Sequence, residues 1–239
     1  MSAGRFALVA LPLLLAACGD DGNAGDDGPA DAFVIDGFDN GTCGADVRLT
    51  GELVDWETDA SFCGIFGARL GTATGSTAPN GRFDVCTPDA ATSQLAVMLP
   101  TAMSECSVPK SGYTTPTIVY VRKDVILSGG FYSARSITDA RKASFYSDVV
   151  GAPFDATKGH IFVHVDGEPR AVSLAAAHGT TVAITGTTWA AGSTGTYVMF
   201  PNVDVGSGTT QLTVAGGAIG TGDIPVVAGT ITNVTVNAR

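Results

Sequence analysis

Cations are scarce in this chain: 13 Lys and Arg stand against 23 Asp and Glu in 239 residues, a formal charge of −10. No Lys/Arg-rich run occurs, and phosphate binding needs clustered cations, so nucleic acid is not an expected partner. A membrane-spanning helix needs about 20 apolar residues, and the apolar run at residues 6–15 falls short of that. Also missing are a Gly-x-Ser-x-Gly elbow, a His-Glu-x-x-His helix and a Walker loop, which removes the familiar nucleophile, zinc and nucleotide motifs. The expectation is therefore a non-enzymatic protein with no cofactor, no catalytic residue and no metal. Cysteine stops at position 106, so no disulfide can staple the second half.

What is present begins with Arg5, the apolar run and a small-residue exit, which is the order of an export signal. The exit, Leu15-Ala16-Ala17-Cys18, resembles the lipobox of bacterial lipoproteins. That resemblance implies a signal peptide over residues 1–17, cleavage after Ala17 and acylation of Cys18, which makes the membrane a partner through a lipid anchor. Gly19 in place of an aspartate favours the outer membrane over the inner one, so the expected location is the bacterial cell envelope. Between Gly19 and Asp46 lie eight aspartates and no lysine or arginine, a composition that cannot bury enough apolar surface to fold alone. Residues 18–45 read as an acidic disordered tether, extended by self-repulsion. The Asp-Asp-Gly repeats at 20–22 and 26–28 lack the fixed offsets and distal glutamate of a calcium loop. Removing Arg5 with the signal takes the charge from −10 to −11 before termini are counted.

With Cys18 assigned to lipid, Cys43, Cys63, Cys86 and Cys106 remain, an even number that favours two disulfides in an exported protein. Their spacings of 20, 23 and 20 residues lack the short-spaced ligand pairs of structural zinc. Three pairings are open, the two local ones, Cys43 with Cys63 and Cys86 with Cys106, being preferred.

Beyond residue 46 the chain alternates. Val47, Leu49 and Leu53 share one face of a half-buried strand, and further short runs lie at 67–70, 82–86, 94–99, 117–122 and 125–127. Turn residues such as Pro79-Asn80-Gly81 and Thr87-Pro88-Asp89 punctuate them. Thr138 is an N-cap candidate ahead of good helix formers, so residues 136–156 read as a linker with one short helix. Strands resume at 160–166, 170–175, 180–186, 195–200, 209–215, 224–227 and 230–236. The chain thus divides into one β-sandwich domain at 46–135 and a second at 157–239.

A glycine turn, an aromatic two places on and a later strand occur in both halves: Asn80-Gly81-Arg82-Phe83 then Gln94-Leu95-Ala96-Val97, and Thr194-Gly195-Thr196-Tyr197 then Gln211-Leu212-Thr213-Val214. With Gly67-Ala68-Arg69-Leu70 and Phe200-Pro201-Asn202-Val203, these segments resemble the carboxypeptidase regulatory-like domain, a small transthyretin-like β-sandwich. The second half departs from the family by Asp204-Val205-Gly206 where a Pro-Gly turn is usual. The resemblance implies an all-β fold of two tandem small Greek-key, transthyretin-like sandwiches. It implies an accessory module rather than an active one, with Phe83 and Tyr197 entering the cores.

Few residues invite chemistry. His160 and His164 share a strand, but four residues at about 3.3 Å each separate them by roughly 13 Å, too far to reach one ion. They read as histidines on a partly solvated sheet face, with His178 apart. Gly216–Gly222 opens no helix and reads as a turn. No spacing singles out Lys123, Lys142 or Lys158 for an isopeptide bond. Trp56 and Trp189 are the candidate ligand-binding residues: exposed indoles beside acceptors suit a sugar, whereas buried ones close the ends of the cores. The function expected is a structural or binding module of the cell envelope, partnered by polysaccharide or another envelope protein. The alternative is a carbohydrate-binding accessory module, and a third reading is a metal-dependent enzyme on the second domain.

Overall fold

A computed structural model describes residues 47–56, 60–61, 65–70, 73–76, 81–87, 92–102, 112, 114–122, 132–216 and 221–237. The signal segment with Cys18, the tether, Cys43, Cys63, Cys106 and the strand expected at 125–127 lie outside the described residues. The first half contributes β1 (Val47–Asp55), β2 (Ile65–Leu70), β3 (Ala73–Ser76), β4 (Arg82–Thr87), β5 (Thr92–Ala102), β6 (Thr117–Arg122) and β7 (Tyr132–Ser136). A short helix, α1 (Asp139–Phe145), runs into a π-turn (Tyr146–Val150). Then come β8 (Gly159–Asp166), β9 (Arg170–Leu174), β10 (Val182–Thr185), β11 (Thr188–Ala191), β12 (Thr194–Gly195), β13 (Tyr197–Val203), β14 (Thr209–Val214), β15 (Thr221–Pro225) and β16 (Ile231–Asn237). The fold is mostly β, with several sheets and one short helix among the described residues.

Three sheets form there, ordered β4-β1-β7, β11-β10-β13-β8-β16-β6-β5-β2-β3 and β12-β9-β14-β15. The long sheet draws on both halves of the chain, because β16 lies parallel to β8 on one side and to β6 on the other. The segment at 136–156 therefore carries the expected helix without interrupting the sheet. Val172, Leu212, Val214 and Ile224 of the four-stranded sheet bury against Ile161, Val163, Val165, Val198 and Phe200 of the long one. These are two sheets face to face over an apolar layer, the geometry of a sandwich.

The opposite face of the long sheet is covered as well. Phe162, Val182, Met199 and Ile231 pack there with Trp56, Ile137, Phe145, Tyr146 and Val150 in a second core. The helix that supplies this cover starts where its cap chemistry says: the Thr138 side chain accepts from the Arg141 N–H at 3.1 Å. Its exit is a left-handed Gly151 with φ 71°.

The two repeat glycines serve different ends. Gly81 takes φ 78° and makes the turn into β4, which delivers Phe83 to the interior at 2 % exposure. Gly195 is needed for close approach, since a Cβ there would meet the Ile184 carbonyl oxygen at 2.4 Å.

Candidate functional site

His160 is the second residue of β8, on the face covered by the π-turn, and is 1 % exposed. This corrects the expectation of a partly solvated sheet-face histidine. Alternation placed Phe162 and His160 opposite the main core correctly, but Tyr146 and Val150 then cover that opposite face.

Every polar atom of the ring is engaged. The Tyr146 hydroxyl lies 2.6 Å from Nδ1, the Asn202 backbone N–H 3.2 Å from the same atom, and the Asp155 carbonyl 3.3 Å from Nε2. A backbone N–H can only donate, so Nδ1 is the unprotonated nitrogen. Tyr146 must then donate to it, and Nε2–H donates to Asp155. His160 is thus a neutral histidine in one fixed tautomer, with no lone pair left for a metal. Burial, the largest influence, lowers its pKa to about 4; the Lys142 charge acts in the same direction, while the Asp155 carbonyl and carboxylate oppose it. Burial also pushes the Tyr146 phenol up.

Around this ring the chain folds tightly. Phe154 stacks on it with centroids 3.9 Å apart and planes 17° from parallel. Asn202 sits at a bulge of β13 with φ 52°, rare for a residue with a side chain. Its Oδ1 accepts from the Asp155 N–H at 3.0 Å and its amide donates to the Pro153 carbonyl at 3.0 Å. Sequence reasoning singled out His160 but not Tyr146, Asn202 or Phe154. The Phe-Pro-Asn-Val run carried a hint of a strand irregularity, but nothing tied it to position 160.

The candidate pair Trp56 and Trp189 does come together, across 133 positions of sequence. Their rings stack with centroids 6.0 Å apart and planes 19° from parallel. Trp56 is 5 % exposed, enclosed by Phe145 at 5.4 Å and Phe162 at 4.2 Å, so its indole offers a sugar no face. Trp189 lies half-buried on β11, the edge strand of the long sheet. His164 stacks on Tyr197 at 4.9 Å, and Arg135 donates to the Tyr197 hydroxyl at 2.8 Å. His178 is exposed, its Nδ1 2.7 Å from the Gly179 carbonyl. The three histidines therefore sit in three separate settings. Among the described residues, no group of three His, Cys, Asp or Glu side chains is placed to hold a metal ion. Cys86 lies half-buried in β4.

Neither a family model nor a curated protein matches the chain. Among solved structures it is similar to the Bacillus anthracis TIE protein, with 10 % identity and a TM-score of 0.25, over 81 % of this chain and 34 % of that one. The chain thus spans about a third of that protein's length.

Proposed function

We propose that this protein is a cell-envelope lipoprotein, anchored through acylated Cys18, whose β-sheet body is a non-catalytic structural or binding module held off the membrane by the acidic tether. The observation that carries the reading is the Leu15-Ala16-Ala17-Cys18 exit of the apolar segment. Cys86, with Cys43, Cys63 and Cys106, would form the two disulfides expected of an exported protein. The finer reading of the body as transthyretin-like Greek-key sandwiches draws support from the four-stranded sheet packed on the long one. The outer membrane is the preferred location, and polysaccharide or another envelope protein the preferred partner. The Cys18→Ser variant is expected to move from the membrane fraction to the soluble fraction or to stall unprocessed. A variant that stays in the membrane at wild-type mass and level would refute the anchor.

A second reading, carbohydrate binding, is favoured by the half-buried Trp189 at a sheet edge. It expects retention on an immobilised polysaccharide that Trp189→Ala abolishes. A glycan array with no retained sugar ends it.

A further inference from the structure

Between α1 with its π-turn and the segment that leaves it runs a cleft of about 620 Å³, inside the few hundred to a thousand Å³ usual for small-molecule sites. One wall is a single helical face, Lys142, Ala143, Tyr146 and Ser147. The other is Pro153 and Phe154. The π-turn widens the helix at this wall, and such bulges recur at functional sites.

The facing wall is fixed in place before any ligand arrives. Phe154 is stacked on His160 and lies edge-on to Tyr146 at 5.2 Å, and Asn202 holds the backbone on either side of it through Pro153 and Asp155. Such preorganisation lowers the cost of binding. Among the described residues that line it, Lys142 is the one with a formal charge. Its ammonium has three protons: Thr115 accepts at 2.8 Å and Asp139 at 3.0 Å, and the Phe154 ring centroid lies 4.8 Å away. Asp139 stays outside the lining and also accepts from Thr114 at 2.6 Å.

We propose that this cleft binds a small aromatic carboxylate, its ring against Phe154 and Tyr146 and its carboxylate on the Lys142 ammonium. The ring takes the apolar walls in the offset or edge-on contacts that aromatic groups prefer. The carboxylate replaces a ring face with a charge-assisted hydrogen bond. Asp139 keeps its own contacts, so the ammonium bridges two carboxylates. The proposal deepens the reading of the body as a binding module and is independent of the lipid anchor.

The test uses the full chain carrying Cys18→Ser, so that no acyl chain competes for the probe, with 2-naphthoate titrated by calorimetry and 2-naphthalenemethanol as its uncharged counterpart. Saturable 2-naphthoate binding is expected, weakened about tenfold by Lys142→Gln, as loss of one charge-assisted contact implies. The alcohol should bind wild type and Lys142→Gln alike. Ala143→Trp, which fills the cleft from an exposed helix position, should abolish binding of both, and Ser147→Trp serves if that variant does not melt cooperatively. Absence of 2-naphthoate binding, or binding indifferent to the filling variant or to Lys142→Gln, overturns the proposal. A negative result here leaves the fractionation of Cys18→Ser untouched, so the two failures are distinguishable.

Discussion

Replacing Trp56 with alanine is expected to destabilise the protein by about 3–5 kcal/mol, the range for removing a large aromatic from a packed core. The indole touches Phe145 of the helix, Phe162 of the central strand and Trp189 of the sheet edge. Its loss opens a cavity where three separate elements meet. Trp56→Phe should cost far less, for a specific reason. Trp56 Nε1 is buried without a hydrogen-bond partner, and an unmade buried bond carries a penalty of about 1–3 kcal/mol. Phenylalanine discards that donor while keeping most of the packing, so the two terms partly offset. Urea unfolding of both variants checks this: equal losses for phenylalanine and alanine would mean that the ring packs loosely and that the second core is not organised around it.

Acid is expected to remove about 3 kcal/mol of stability between pH 6.5 and 4 through His160 alone. The folded pKa is about 4 against 6.5 for an unperturbed histidine, a gap of 2.5 at 1.36 kcal/mol per unit. In that window the unfolded chain binds more protons than the folded one, so stability rises with pH. The contribution is whole above pH 6.5, falls as pH drops and is fully lost below about 4. Structurally, a proton on Nδ1 would confront the Asn202 N–H and turn the Tyr146 hydroxyl away, breaking two of the three ties to the ring. The charged groups acting on the ring are Lys142, which adds to the effect of burial, and Asp155, which opposes it only in part. His160→Gln cannot titrate, so its stability should fall less steeply over the same window, the difference from wild type approaching about 3 kcal/mol by pH 4. Parallel curves for the two proteins would place the acid sensitivity elsewhere.

Much of the β-structure could be read from alternation, and the exceptions have physical causes. The strands at 47–55, 82–87, 117–122 and through most of 159–237 lie close to the runs of alternating apolar residues. The helix was marked by Thr138 and its followers. By contrast, β3 and β11 are four-residue edge pieces, too short to show alternation, and β7 hides an inward-facing Arg135 in its pattern. Arginine at a buried strand position reads as surface until Tyr197 is known to lie beside it. The parallel pairing of β6 with β16 was also out of reach, because register between segments over a hundred residues apart leaves no local trace.

The site shows the same division. Position 160 stood out for its residue type, yet its setting depends on Tyr146, Phe154 and Asn202, which converge only through the helix exit and the bulge. Trp56 and Trp189 stood out as candidates for their polar settings, Asp55-Trp56-Glu57 and Thr188-Trp189 just before a Gly-Ser-Thr stretch. The polar neighbours of Trp56 left two readings open, and its enclosure by Trp189 and Phe162 matches the one in which the indole closes the end of a core.

The lipid anchor is tested most directly by the mass of the N-terminal peptide of the protein isolated from its native membrane. The expected chain begins at Cys18 and carries a thioether-linked diacylglycerol, with residues 1–17 gone. A peptide beginning at Met1, or a processed one with an unmodified Cys18, would contradict it.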